Sequence, residues 1–163
     1  MRILVFLHGT VLMHASAAGK NRRERVNQVR TGESSVKDFS RYLPIGNAPA
    51  KLGSWSKQGA EISYLSPHLT FDRVRMDQEV LKRCGFPRGA VLFRQGHVTY
   101  AQVAESHVPD ILIEDDCESI GGSSQMTFPN MADSAKRTLR HIVVKEFGGI
   151  DHLPDQLEEL IRW

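Results

Sequence analysis

This chain of 163 residues is poor in cysteine, in one-sided charge and in long apolar runs, and each shortage excludes something. Its two cysteines, Cys84 and Cys117, are far apart and neither belongs to a CxxC pair, which excludes a thiolate zinc knuckle and a disulfide framework. A reducing cytoplasm is the expected compartment. With 21 Lys and Arg against 19 Asp and Glu, the net charge is +2, so no global excess favours nucleic acid or an acidic membrane. No run approaches the roughly 20 apolar residues that cross a bilayer. The first residues imitate a secretion signal, with Arg2, apolar Ile3 to Met13 and small Ala15-Ser16-Ala17. His8-Gly9-Thr10 breaks that stretch, whereas a signal core wants about 7–15 unbroken apolar residues.

What is present suits one soluble α/β domain spanning residues 1–163, since 40% of residues are apolar and 25% charged. Ile3 to Leu7 is a short apolar run closed by the turn signal His8-Gly9-Thr10, and reads as a strand buried on both faces. Ala60 to Ser66, Gly89 to Phe93, Asp110 to Ile113 and His141 to Val144 read as four more strands. Between them, Ala48 to Lys57, Phe71 to Arg83 and Tyr100 to His107 carry helical spacing. Leu153 to Trp163 reads as a final covering helix. Strand and helix alternate, which predicts a three-layer, Rossmann-like architecture with a five-strand parallel sheet.

Two segments interrupt the rhythm. Residues 14 to 45 form a small polar insertion after the first strand, and 118 to 133 a loop beyond the fourth. The stretch Lys20 to Arg30 holds five basic residues and one acid without interleaved aromatics, which fits a solvated face better than a base-stacking surface.

In an open parallel sheet, ligands gather where strands end and helix N-termini point outward. Here the strands end in His8-Gly9-Thr10, in Ser66 and in Glu114-Asp115-Asp116. Glycine and hydroxyls suit a phosphate, with Gly9, Thr10 and Ser66 as candidate contacts. Clustered oxygens suit Mg²⁺, with Asp115, Asp116 and Glu114 as candidate ligands. The competing account leaves the three acids solvated or capping the next turn, because adjacent side chains on a strand point different ways. Ser66-Pro67-His68 pairs a hydroxyl with an imidazole, but no third, orienting group is evident; Ser66 closing the turn is the simpler account. Cys117 beside Asp116 is a poor nucleophile, since neighbouring carboxylates raise a thiol's pKa.

The order of these elements resembles the haloacid dehalogenase (HAD) superfamily over nearly the whole chain. Ile62-Ser63-Tyr64-Leu65-Ser66 looks like that family's second motif and Asp110-Ile111-Leu112-Ile113-Glu114-Asp115-Asp116 like its fourth. The first motif, DxDGT in the family, departs. Aligning Gly9-Thr10 on Gly-Thr puts Phe6 at the nucleophilic aspartate and His8 at the aspartate that serves as general acid and base. A phenylalanine has no lone pair to attack phosphorus and no charge to hold Mg²⁺. The family's lysine position falls near Tyr100, which makes Arg94, at the end of the third strand, the basic substitute and a fourth candidate phosphate contact, and the insertion at 14–45 is too short for a full cap domain. The resemblance therefore implies a degenerate HAD-like protein without phosphoaspartate chemistry, with a phosphate- or Mg²⁺-binding crevice for a phosphorylated small molecule or a surface for a protein partner. A rival reading is a phosphohydrolase in which His8, with Asp115 or Asp116, activates water. A third is a scaffold whose basic insertion recognises a partner.

Overall fold

The computed structural model describes residues 1–163. Strand β1 (Arg2–Phe6) is the middle of a five-stranded sheet and pairs in parallel with a strand on each side. After it come the short β2 (Leu12–Met13), α1 (Arg22–Arg30), β3 (Leu43–Pro44), α2 (Ala48–Lys57), β4 (Glu61–Leu65) and α3 (Phe71–Arg83). Then follow β5 (Val91–Leu92), α4 (Tyr100–His107), β6 (Ile111–Asp115), α5 (Asp133–Lys136), β7 (Arg140–Val144) and α6 (Leu157–Leu160). The sheet order is β5-β4-β1-β6-β7, with every neighbouring pair parallel. The α/β class and the five parallel strands expected from the alternation are those observed.

The three inner strands are apolar along most of their length, polar residues falling mainly at their ends, because helices cover both faces. Ile3 and Val5 of β1 face one side, where Leu52 and Trp55 of α2, Val80 and Leu81 of α3 and Leu157 and Leu160 of α6 join them in the main core. Leu4 faces the other side and packs with Leu65, Leu112 and Ala101 and Ala104 of α4. The small alanines let α4 approach the sheet closely. Thr99 and Gln102 form a reciprocal capping box at the start of α4. The helix stops at Val108, in left-handed conformation just before Pro109.

One expectation is corrected and one segment gains structure. At the 14–45 insertion, β2 and β3 close the base as an antiparallel ribbon, and α1 lies within it. Asn21 and Glu24 cap α1 reciprocally, while its apolar stripe is thin enough for helical periodicity to be hidden by arginines. The C-terminal segment forms one helical turn, α6, instead of a helix from Leu153 to Trp163. Residues 151–156 are held as a loop, because Trp55 Nε1 donates to the Pro154 carbonyl, Lys51 bonds Asp155, and the Gln58 side chain accepts the Leu157 N–H. No helix is long and apolar enough to cross a membrane.

Gly89 leads into β5, and a Cβ there would lie 2.0 Å from the Ile62 carbonyl oxygen of β4. Gly89→Ala must push the β5 approach off the sheet, so we expect a loss of about 1–3 kcal/mol, the scale of overpacking strain, read from urea unfolding. An unchanged midpoint would show that this edge strand contributes little.

Candidate functional site

The sheet's carboxyl edge is built from the turn after β1, the segments after β4 and β5, and the acids ending β6. At the end of β1, Phe6 stays on the α4 side and meets Tyr100 edge-on, with ring centres 5.4 Å apart. The Arg94 guanidinium lies over the opposite part of this cluster, 4.1 Å from the centre of the Tyr100 ring. Tyr100 donates its hydroxyl to the Pro67 carbonyl, at 2.9 Å. Arg94 Nε is enclosed and has no hydrogen-bond partner. Phe6, Tyr100 and Arg94 therefore form one stack across the ends of β1 and β5.

Gly9 has φ of +86°, which glycine adopts freely, and a Cβ here would sit 2.8 Å from Asp115 Oδ2. The bare backbone is what lets the turn lie against the end of β6. The Gly9 N–H donates to the Leu12 carbonyl, at 2.9 Å. Thr10 is buried, donates its hydroxyl to Asp115 Oδ2 at 2.8 Å and accepts the Asp115 N–H at 3.1 Å. The Ser66 hydroxyl donates to Asp77 Oδ2 at 2.7 Å and accepts the His68 N–H at 3.1 Å. Of the four candidate phosphate contacts, Arg94 is the one with an unspent buried donor.

Successive acids after Ile113 part company. Glu114 is buried and accepts from the Thr127 and Phe128 N–H groups and from His141 Nε2. Asp116 turns to the other side, toward Lys145 Nζ and the Glu146 N–H, both at 3.0 Å. Burial would raise the Asp116 pKa, but those donors outweigh it and hold it below the usual carboxylate range. Asp115 alone faces the turn. A hard cation wants six or more oxygens around it, and this edge offers one carboxylate where the family's Mg²⁺ would need several, so the three acids do not fit that ion.

Burial pushes the Asp115 carboxyl up to about 7, with the Thr10 hydroxyl and Cys117 N–H offsetting it only in part. No cation lies against it. The Cys117 thiol is pushed up by burial first and then by Asp115 and Glu114, so it is not a nucleophile.

His8 leaves the turn on the opposite side from Phe6. Its Nε2 meets Asp77 Oδ1 of α3 at 2.8 Å, so it pairs with neither Asp115 nor Asp116. His68 Nε2 is buried without a partner and lies 3.7 Å from the same Asp77 oxygen. Phe39 and Tyr42 of the insertion pack against these imidazoles, with centres 4.4 Å apart for Phe39 and His68 and 4.6 Å for His8 and Tyr42. Burial, and then the nearby His8, lower the His68 pKa to about 4. Burial would raise the Asp77 pKa, but His8 and the Ser66 hydroxyl outweigh it. Sequence reasoning missed Asp77, the third group that Ser66 and His68 lacked. Its signal was an acid inside the apolar stripe of Val74, Val80 and Leu81.

The basic stretch is largely tied to the body of the protein. Arg22 bonds Glu118 at 2.7 Å, and Arg25 donates to the Ala17 and Phe147 carbonyls.

No protein-family model and no curated protein matches the chain. Among solved structures it is similar to the class C acid phosphatase of Bacillus anthracis, at a TM-score of 0.59 and 15% identity over 99% of this chain and 77% of that one. The tungstate-bound form of that enzyme matches at 0.57, again with 15% identity and the same coverage. The fold is close to that of these acid phosphatase structures. A chain of the Pnkp1/Rnl/Hen1 complex matches at 0.53 and 13% identity, over 88% of this chain and 45% of that one. At these identities the likeness is one of fold, and the site must be read from its own residues.

Two titrations at this edge oppose each other. Asp115 is raised from 3.8 to about 7, so the stability it contributes is full below about pH 4 and lost as pH rises through 7. His68 is lowered from 6.5 to about 4, so its contribution is present above about 6.5 and lost as pH falls through 4. Asp115→Asn removes the first limb, so its stability should climb with pH between 4 and 6.5 more steeply than that of the wild type. Parallel profiles from chemical denaturation would show that Asp115 ionises normally.

Proposed function

We propose that this is a HAD-like domain that has given up phosphoaspartate chemistry and binds an anionic, phosphorylated small molecule at the carboxyl edge of its sheet. The observation that carries the reading is the Phe6–Tyr100 contact. At the end of the central strand, where the resemblance puts the attacking carboxylate, stands a hydrocarbon ring packed on a phenol. Phe6 can neither attack phosphorus nor hold a metal, and the Tyr100 hydroxyl, donated to the Pro67 carbonyl and with its pKa raised by burial, stays protonated at neutral pH.

The binding half of the proposal rests on Arg94. A guanidinium stacked on an aromatic ring is held flat and offers its edge in a fixed direction, and a buried N–H without an acceptor is a standing cost that an anion's oxygen removes. The hydroxyls of Thr10 and Ser66 brace this edge of the sheet through Asp115 and Asp77. The rival phosphohydrolase finds less support, because His8 pairs with Asp77 and not with Asp115 or Asp116, which are bonded instead to Thr10 and to Lys145.

The test follows thermal unfolding of the wild type and Arg94→Met against inorganic phosphate and a panel of phosphorylated metabolites. A ligand at a hundred times its Kd stabilises by about 2.7 kcal/mol, a rise of roughly 5–10 °C for a chain of this size. We expect that rise in the wild type, its loss in Arg94→Met, and no hydrolysis of an aryl phosphate with Mg²⁺ present. Mg²⁺-dependent turnover would overturn the first half of the proposal, and a rise that survives Arg94→Met the second.

A further inference from the structure

The structure brings together two histidines and a carboxylate that no expected Mg²⁺ site includes. His8 comes from the turn after β1, His68 from the segment after β4, and Asp77 from the buried face of α3. One donor atom from each lies within 4.8 Å of the other two. The side chains of His8, His68 and Asp77 are 15%, 5% and 0% exposed.

We propose that His8 Nε2, His68 Nε2 and an oxygen of Asp77 form a site for one divalent transition-metal ion of the zinc class. The separations suit it. Donors around a tetrahedral zinc, each about 2.0–2.2 Å from the ion, stand roughly 3.3–3.5 Å apart. Here the Asp77 oxygen is 2.8 Å from His8 Nε2 and 3.7 Å from His68 Nε2, distances that bracket this spacing, and the three residues' donor atoms all lie within 4.8 Å of one another.

A second observation points to a ligand. His68 Nε2 is buried, aimed at Asp77, and has no hydrogen-bond partner. Buried polar atoms are almost always satisfied, and an ion in this place would satisfy this one. The surroundings are those of a built site. Ser66 donates to the far oxygen of Asp77 and fixes its carboxylate, as groups behind metal ligands do. Phe39 and Tyr42 brace the imidazoles and shield them from water. Two nitrogens and one oxygen select zinc, cobalt or nickel over Mg²⁺, which prefers oxygen throughout. Three protein ligands leave a fourth position for water. This site shares the Ser66–Asp77 bond with the anion-binding edge, but Arg94, Phe6 and Tyr100 take no part in it.

The test uses tag-free protein stripped with a chelator. Zn²⁺ is titrated by calorimetry and its stoichiometry checked by metal analysis after dialysis, while Co²⁺ reports geometry through its visible absorption. We expect one equivalent of Zn²⁺ bound at micromolar concentration or below, undiminished by a large excess of Mg²⁺, and a four-coordinate cobalt spectrum. His8→Ala and His68→Ala should each abolish binding, and Ser66→Ala should weaken it about 10–100-fold. His8 sits at a partly exposed turn, so His8→Ala decides the matter if His68→Ala fails to fold, with thermal unfolding of the metal-free variant as the control. No Zn²⁺ uptake by the wild type, or the same uptake and spectrum in His8→Ala, overturns the proposal.

Discussion

The constraint on which the rest depends is the burial of β1 between two parallel neighbours. Its register is fixed on both sides, Ile3 opposite Ile62 and Ile111, Val5 opposite Tyr64 and Ile113. A slip by one residue would exchange the Ile3-Val5 face for the Leu4 face and put each set of side chains into the wrong core. The strand therefore delivers Phe6 and the turn behind it to one place. Within a strand, residues two apart share a face, yet Phe6 lies on the α4 side and His8 on the α3 side. The break comes at the turn, where Gly9, held against Asp115, lets the chain double back and re-aim His8.

The same geometry explains how four buried or half-buried acids at one edge are tolerated. Each is handled separately. Glu114 takes two amides and an imidazole, Asp116 takes an amide and a lysine, and Asp77 takes a hydroxyl and an imidazole. Asp115 receives only a hydroxyl and an amide and has no cation, which is why its carboxyl holds its proton to near neutrality. Had two of these acids faced each other without a cation, both could not have stayed ionised. The divergence of side chains along β6 and its extension keeps them apart.

The helices α2, α3 and α4 were legible in the sequence to the residue, because their apolar spacing is regular and their ends carry clear signals, such as Thr99 and Pro109 around α4. The strands were legible because a buried parallel strand is a short apolar run. Helix α1 was not, since most of its residues are charged and its evidence is the cap pair Asn21 and Glu24. Nor was the shortness of α6, which is set by contacts from Trp55, Lys51 and Gln58, about a hundred residues away in the chain. At the edge of the sheet, His8, Thr10, Ser66 and the three acids were found because they end strands. Asp77 was not, because an acid amid apolar positions is read as an imperfection of the helix until the fold shows two histidines above it.

Phe6 and Tyr100 also have to be understood together. A carboxylate at residue 6 would lie against the half-buried face of α4 and draw on Arg94, the one cation there, while a lysine at residue 100 would stand beside that cation and need an anion. A charge withdrawn from water without a partner costs several kcal/mol. Two neutral rings meeting edge to face remove both requirements at once and gain the aromatic contact, about 0.5–1.5 kcal/mol beyond burial. The one charge left in the stack is Arg94, supported by the Tyr100 ring and short of an acceptor at Nε. An edge organised this way is stable without a nucleophile, and it still has a direction in which an anion lowers its energy.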